Sequence, residues 1–347
     1  MNRRGVCYDV GRVLGGNWRP TFDRPVVHRE LQIIAHDLHC NSVRICGRDV
    51  ERLVAAAEDA LVQGLEVWLS PERWGKGPEQ TLAYIVKAAT AAEQVRLRWP
   101  ERLVFVVGSE LTLFMRGIVP GRTIAARVAN VRADARSGRY DRPLQTFLAQ
   151  ANEAVRRAFH GPVTYAALIW EAVDWSLFDI VGVDHYRDAR IKDRYVEMLQ
   201  PLFAHGKPVV VTEFGMRSYR GAETSGALGF GVVDHRSVVL HQLPIVGRFV
   251  RPRLKGTHVR TEALQAREIT ETLGILDGAG VDGAFVCTFV EPIAPFNEDP
   301  RYDLDMSALS LVKTYAGGHG TTYPDMPWEP KESFRAVAAY YARAADQ

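Results

Sequence analysis

Apolar runs and segments of helical periodicity alternate along the whole chain. Eight short runs rich in Val, Ile and Leu predict strands, at 5–10, 42–45, 65–69, 103–107, 162–169, 178–183, 207–215 and 283–289. Between most of these runs, apolar residues recur every three or four positions, as at 28–38 and 49–63, which is the spacing of one helix face. We also expect a helix at 190–205 and a polar segment at 120–142. Strands that are apolar throughout and separated by helices predict a parallel sheet that is buried on both faces.

The number and order of these units predict a closed barrel. The first strand is not followed by the Gly-x-Gly-x-x-Gly turn of a dinucleotide-binding fold. Eight strand–helix units therefore favour a single α/β domain, a (β/α)8 TIM barrel over residues 1–347. Residues 218–255 form a long Gly- and Arg-rich segment after the seventh strand, and we expect a loop or lid there.

The charge balance and the beginning of the chain limit the classes of partner. The 347 residues include 43 basic and 41 acidic side chains, and this net charge of +2 argues against nucleic-acid or membrane partners. No apolar run is long enough to span a bilayer, and no signal-like apolar segment follows residues 1–5. These features predict a cytoplasmic protein with a small-molecule partner, and they leave the oligomeric state open.

The four cysteines are Cys7, Cys40, Cys46 and Cys287. They contain no Cys-x-x-Cys pair, and each lies in or beside an apolar run. Buried free thiols are therefore the favoured interpretation, over disulfides or a metal site.

Acidic residues recur where the predicted strands end. The C-terminal ends of barrel strands face one mouth, where barrel enzymes place their catalytic groups. Glu213, which ends a Pro-opened run of β-branched residues, is the clearest of these acids. The side chains expected at the mouth are Asp9, Arg44, Glu72, Ser109, Glu110, Glu171, Asp184, Tyr186, Glu213 and Glu291, with Trp74, Trp170 and Trp175 nearby.

Two facing carboxylates suit the cleavage of a glycosidic bond. One carboxyl group, kept protonated, gives a proton to the leaving oxygen, and the other attacks or stabilises the sugar cation. Tryptophans such as Trp74 and Trp170 supply flat apolar surfaces for sugar faces. Two other interpretations stay open: the acids pair with strand-end arginines, or several of them hold Mg²⁺ or Mn²⁺. No His-x-His or Glu-x-x-His spacing supports a metal, and we expect neither a metal nor an organic cofactor.

Four motifs, in order along the chain, resemble those of clan A glycoside hydrolases, which are retaining (β/α)8 enzymes. They are Asn41-Ser-Val-Arg44-Ile, Asp179-Ile-Val-Gly-Val-Asp184-His-Tyr186, Pro208-Val-Val-Val-Thr-Glu213-Phe-Gly and Trp328-Glu-Pro-Lys-Glu-Ser-Phe334. The resemblance implies that Glu213 is the nucleophile and Glu110 the general acid and then base. It also implies that Arg44 and Tyr186 bind the Glu213 carboxylate, with the two carboxyl groups about 5–5.5 Å apart.

The chain departs from this family pattern at three positions. Ser109 stands where the family has the Asn that binds the sugar 2-hydroxyl, Asp184 replaces a His or Asn, and the eighth-strand Trp has no counterpart near Phe289 and Glu291. Three functions are therefore compatible with the sequence. They are a retaining glycosidase acting on a small glycoside or oligosaccharide, a repurposed barrel that transfers, cyclises or rearranges a specialised glycosylated metabolite, and an inactive sugar-binding barrel.

Overall fold

Eight parallel strands close into one barrel in the computed structural model of the chain, which describes residues 1–14, 16–134 and 138–345. The barrel strands are β1 Arg3–Asp9, β2 Ser42–Gly47, β3 Glu66–Pro71, β4 Leu103–Ser109, β5 Val163–Leu168, β6 Val181–Asp184, β7 Val209–Phe214 and β8 Gly283–Val286. They follow one another around the barrel in chain order, and β8 pairs with β1 to close it. Two further strands, β9 Val312–Thr314 and β10 Trp328–Pro330, form a separate antiparallel pair. The predicted (β/α)8 fold is confirmed.

Helices connect most of the strands and cover the outside of the barrel. They are α1 Arg24–His36, α2 Val50–Val62, α3 Pro78–Arg96, α4 Leu111–Phe114, α5 Ile124–Asp134, α6 Asp141–Ala158, α7 Gln200–Phe203, α8 His235–His241, α9 Glu262–Gly278 and α10 Glu332–Ala345. Local chemistry explains where several of them begin. The Asp49 carboxylate accepts hydrogen bonds from the N–H groups of Glu51 and Arg52 at the start of α2. Helix α3 begins at Pro78, a position where an N–H would have no partner within the helix, so that proline is tolerated.

Two connections differ from the sequence prediction. Residues 190–205, predicted as one helix, contain two 3-10 turns and the short α7. Pro201 explains the difference, because a continuous helix would need its missing N–H, whereas in the first turn of α7 that N–H needs no partner. Residues 120–142, predicted as a polar segment, contain the Ala-rich helix α5. The long segment 218–255 contains 3-10 turns and α8.

Two apolar cores stabilise the barrel. One lies inside it, where the rings of Trp68 and Phe285 pack with their centroids 5.1 Å apart. The other fills the layer between strands and helices, and Val6 and Tyr8 of β1 belong to it. Gly5 makes room for the inner core, since a Cβ atom at this position would lie 2.3 Å from Cδ1 of Phe285.

The four cysteines are buried and free, which agrees with the favoured interpretation of the sequence and excludes disulfides between them. Within the described ranges, no helix combines the length and apolar character needed to cross a membrane.

The inner core provides a test of the packing. Replacing Gly5 by Ala should lower the free energy of unfolding by about 1–3 kcal/mol, because the new methyl group forces the buried Phe285 ring out of place. The measurement is urea unfolding followed by circular dichroism. The matched control is Gly274→Ala on the exposed face of α9, where no atom lies within 4 Å of the new Cβ, and where Ala should leave stability unchanged or higher. Equal stability of the two variants would contradict this account of Gly5.

Candidate active site

Glu213 lies at the C-terminal end of β7 and accepts hydrogen bonds from three side chains. Its Oε1 accepts from Nη1 of Arg44 at 3.0 Å and from Nη1 of Arg12 at 3.1 Å, and its Oε2 accepts from the hydroxyl of Tyr186 at 2.9 Å. Arg44 is fully buried and Glu213 is 7% exposed. These charges therefore interact with little screening by water or salt.

Arg12 is a second cation at Glu213 that the sequence analysis did not single out. It lies in the loop after β1, where the Asp9 carboxylate accepts from the N–H groups of Gly11 and Arg12 and from Nε of Arg12 at 2.5 Å. Glu72 lies between the two guanidinium groups, 3.7 Å from Nη1 of Arg12 and 3.4 Å from Nη2 of Arg44. Asp9 and Glu72 thus orient and neutralise the arginines that contact Glu213.

Asp184 at the end of β6 is bound from three sides. Its Oδ1 accepts from the hydroxyl of Thr212 at 2.6 Å and from Nη1 of Arg44 at 3.4 Å, and its Oδ2 accepts from the hydroxyl of Ser109 at 3.1 Å. Burial raises the pKa of Asp184 to about 7, with Arg44 opposing the shift and the Glu213 charge adding to it. Ser109 therefore directs its proton at Asp184.

Glu110 follows β4 and has an unusual backbone. Its φ and ψ are 49° and 42°, a left-handed conformation that residues other than Gly rarely adopt and that is often found at functional sites. Its N–H donates to the carbonyl of Ala166 on β5, while its carboxyl group makes no hydrogen bond within the described part of the chain. The backbone is thus fixed and the carboxyl group is left available.

Glu110 and Glu213 have opposite pKa shifts. Burial raises the pKa of Glu110 well above its usual value, and the nearby charges of Asp184 and Glu213 raise it further. Burial also opposes ionisation of Glu213, but Arg44, Arg12 and the Tyr186 hydroxyl more than offset it and lower the pKa of this carboxyl group. The site therefore favours the protonated form of Glu110 and the ionised form of Glu213.

Irregular strand pairing occurs where these acids are placed. The register shifts between Val106 and Ser109 where β4 pairs with β5, between Val183 and Asp184 where β6 pairs with β7, and between Val211 and Phe214 where β7 pairs with β8. Such irregularities turn a side chain out of the regular alternation of a strand. Glu110, Asp184 and Glu213 each lie at one of them or directly after it.

Two other acids predicted at the mouth are bound mainly by backbone groups. The Glu171 carboxylate accepts from the N–H groups of Thr112 and Leu168 and from the hydroxyl of Tyr165, at 2.9–3.0 Å. Glu291 accepts from the N–H of Leu309 at 2.8 Å. Burial raises the pKa of both carboxyl groups against the effect of these bonds. Both side chains connect loops around the mouth.

Aromatic side chains form a rim beside Arg12. Trp74 stacks on Phe114 with ring centroids 4.3 Å apart and meets the edge of Trp18 at 5.7 Å. The Arg12 guanidinium lies 4.9 Å from the Trp18 ring. Nε1 of Trp74 is buried and has no hydrogen-bond partner among the described residues. Trp170, at the end of β5, is 39% exposed. The sequence pointed to Trp74 and Trp170, whereas Trp18 and Phe114 became apparent only in the structure.

Thiol groups lie close to Glu213 inside the barrel. Ligand atoms of Cys7, Cys287 and Glu213 lie within 4.8 Å of one another, and so do those of Cys46, Glu72 and Glu213. Burial raises the pKa of the Cys7 and Cys46 thiols, which disfavours the thiolate form that binds metals. Two guanidinium groups already contact Glu213. Both groups of residues are therefore a poor fit for a divalent cation.

Comparison with known proteins places this geometry in a fold class. No protein-family model matches the chain, and no curated protein is significantly similar to it in sequence. Among solved structures, a GH113 β-1,4-mannanase is 14% identical, with a TM-score of 0.59 and 99% of both chains covered. A GH113 β-mannanase from Alicyclobacillus acidocaldarius is 16% identical, with a TM-score of 0.58 and 98% and 97% covered. A β-glucuronidase from Parabacteroides merdae is 12% identical, with a TM-score of 0.56, covering 98% of this chain and 37% of the longer one.

These similarities show a common fold. The chain has the (β/α)8 barrel fold of these glycoside hydrolases, as the resemblance of its motifs implied. At 12–16% identity, the likeness does not extend to substrate or to catalytic residues.

Asp184 provides a pH test of the buried network. Because its pKa is raised to about 7, the folded protein keeps this proton well above the pH at which the unfolded chain releases it. As pH rises from about 4 to 7, the contribution of Asp184 to the free energy of unfolding should therefore fall, by on the order of 1 kcal/mol per pH unit. Asp184→Asn removes this contribution, so its stability relative to the wild type should increase over that range.

The measurement is urea unfolding of both proteins at several pH values. The matched control is Asp193→Asn, which changes an exposed carboxylate and should keep the wild-type pH dependence. Parallel pH curves for the wild type and Asp184→Asn would contradict a raised pKa at Asp184.

Proposed function

We propose that the protein is a retaining glycoside hydrolase-like enzyme in which Glu213 is the nucleophile and Glu110 the acid and then base. The observation that carries this proposal is the opposite shift of their pKa values. Two carboxyl groups whose environments keep one protonated and the other ionised are the pair that glycoside cleavage needs. The fold shared with mannanases and a glucuronidase supports the reaction class.

The reaction has two displacement steps. Glu213 attacks the anomeric carbon while Glu110 gives its proton to the leaving oxygen, so that a glycosyl ester forms and the aglycone departs. Glu110, now ionised, takes a proton from water, which attacks the anomeric carbon and releases Glu213. Arg44, Arg12 and Tyr186 keep Glu213 ionised before the attack. This mechanism requires the two carboxyl groups to lie about 5–5.5 Å apart.

Substrate recognition is assigned to the rim of the mouth. The stacked rings of Trp74 and Phe114 and the exposed ring of Trp170 provide flat surfaces for sugar faces. Residues 218–255 border the mouth as a loop or lid. We propose a small glycoside, an oligosaccharide or a glycosylated metabolite as the substrate, with no cofactor in the reaction.

The acid pair is tested with aryl β-glycosides of glucose, mannose and glucuronic acid. Glu213→Gln should lower kcat/KM by about 10³-fold or more with every leaving group, because no ester can form. Glu110→Gln should lower it by about 10²–10⁴-fold for a poor leaving group, and much less for dinitrophenolate, which departs without a proton. Added azide, which needs no general base, should restore turnover in Glu110→Gln and yield the glycosyl azide.

The control variant is Glu153→Gln, which alters a carboxylate that is 72% exposed on α6. It should leave all rates unchanged. Unchanged turnover by Glu213→Gln would overturn the proposal. A wild-type enzyme that is folded but inactive on all three sugars would instead favour the second candidate.

The second candidate is transfer, cyclisation or rearrangement of a glycosylated metabolite by the same two carboxyl groups. The specific observation is the Ser109 hydroxyl, which donates to Asp184 at 3.1 Å. The Ser109 hydroxyl then does not donate to a sugar 2-hydroxyl. Hydrogen bonds to that hydroxyl stabilise the transition state of ordinary glycoside hydrolysis by several kcal/mol. A glycosyl ester on Glu213 that resists water but reacts with an added alcohol would favour this candidate.

Arg12 provides a pH test of the nucleophile. Activity should rise as Glu213 ionises and fall as Glu110 loses its proton, so the pH profile of kcat/KM should be bell-shaped. Arg12→Gln removes one of the two cations at Glu213 and should move the acidic limb up by about one pH unit. Arg12→Lys should restore part of that shift. The control is Arg157→Gln on the surface, and an acidic limb that stays in place in Arg12→Gln would contradict the role of Arg12.

A further inference from the structure

A compact hairpin in the segment after β7 exposes a large apolar surface. Residues 235–251, here called the apolar hairpin, comprise α8, a turn and a 3-10 turn at Val246–Arg248. Phe249 is 83% exposed, Ile245 76% and Val239 60%. The other exposed apolar side chains of the hairpin are Leu240, Leu243 and Val246. Clustered apolar side chains of this kind mark an interaction surface, whereas single ones are common on any protein.

The apolar hairpin is a formed structure. Nδ1 of His241 lies 3.1 Å from the carbonyl oxygen of Gly247 and 2.8 Å from that of Val250, and the N–H of Gly247 donates to the carbonyl of Leu243 at 2.8 Å. A Cβ atom at Gly247 would lie 2.0 Å from the carbonyl oxygen of His241, so only Gly permits this close approach. The apolar side chains are therefore presented by a defined backbone.

The charged residues of this part of the chain are all basic. Between 235 and 261 the chain contains no Asp or Glu, and its cations are Arg236, Arg248, Arg251, Arg253, Lys255 and Arg260. Arg253 pairs with Asp234, and Arg260 pairs with Asp303. Arg236 and Arg248 make no ion pair with any residue that the structure describes. The apolar hairpin thus carries unpaired cations beside exposed apolar groups.

The apolar hairpin lies next to the barrel mouth. It follows β7, whose C-terminal end carries Glu213. A Cβ atom at Gly16 would lie 3.2 Å from Nε2 of Gln242 and 3.4 Å from Cδ1 of Ile293, so the loop after β1 lies against both the hairpin and the loop after β8. A partner that binds the hairpin is therefore held close to the site.

We propose that the apolar hairpin docks this protein on an anionic lipid bilayer. Ile245 and Phe249 enter the boundary between headgroups and acyl chains, while Arg236 and Arg248 meet the lipid phosphates. Apolar groups flanked by Arg and Lys are the chemistry of a helix that lies in a membrane surface. A symmetric contact between two copies would instead bring the same unpaired cations together. The net charge of +2 did not predict a membrane partner because it averages this segment with the acidic remainder of the chain.

The test is flotation of the full chain with vesicles of phosphatidylcholine, alone or with about 30% phosphatidylserine. The protein should bind the anionic vesicles at least about tenfold more tightly than the neutral ones, and about 0.5 M salt should remove most of the difference. Ile245→Ser combined with Phe249→Ser should weaken binding to both vesicles about tenfold or more. Arg236→Gln combined with Arg248→Gln should remove the preference for anionic lipid.

The matched control is Val62→Ser combined with Leu97→Ser, two apolar side chains that are 65% and 59% exposed elsewhere on the surface. This variant should bind as the wild type does, and far-UV circular dichroism should show that all variants fold. Absence of binding to anionic vesicles would overturn the proposal, as would hairpin variants that bind like the wild type. A dimer in solution that Ile245→Ser with Phe249→Ser dissociates, without vesicle binding, would overturn it in favour of self-association.

Discussion

The site depends on one buried carboxylate held between two guanidinium groups. Arg44 and Arg12 both donate to Oε1 of Glu213, and none of the three residues is more than 7% exposed. Removing one partner of a buried ion pair leaves an uncompensated charge, at a cost of about 3–5 kcal/mol. Asp9 and Glu72 lie against the same guanidinium groups and offset their remaining positive charge. The interactions that make these charges tolerable in the interior are therefore the ones that keep Glu213 ionised.

The barrel brings these charges together through its irregularities. Regular parallel pairing alone would alternate side chains inwards and outwards along each strand. The register shifts on β4, β6 and β7, together with the left-handed backbone of Glu110, place acids at the mouth that regular strands would not. Strain of this kind persists where the surrounding structure fixes it. The N–H of Glu110, bonded to Ala166, and the loop bonds of Glu171 provide such fixation.

Much of this arrangement could be predicted from the sequence, and the limits have physical causes. The eight apolar runs predicted the barrel. Because strand ends converge in any closed parallel barrel, the positions of Glu213, Glu110 and Arg44 near the ends of these runs predicted that they lie at its mouth. The contact of Arg12 with Glu213 could not be predicted, since it joins the loop after β1 to the end of β7, 201 positions further along the chain. The partner of the Ser109 hydroxyl could not be predicted either, because a donor at this position can serve Asp184 or a substrate. The predicted helix at 190–205 was wrong. The prediction followed the apolar periodicity and did not allow for Pro201, which has no N–H for a hydrogen bond in the middle of a helix.

The acidic mouth and the basic hairpin are opposite in charge, and this difference has a consequence for binding. An anionic surface would repel a mouth that carried only carboxylates, but Arg12 and Arg44 neutralise part of that charge within about 4 Å. The unpaired cations of the apolar hairpin lie outside this balanced interior, where they attract anions over roughly one Debye length, about 8–10 Å. The protein can therefore keep Glu213 ionised inside the barrel while the cations of the hairpin attract anions, because the two charge sets act in separate dielectric environments.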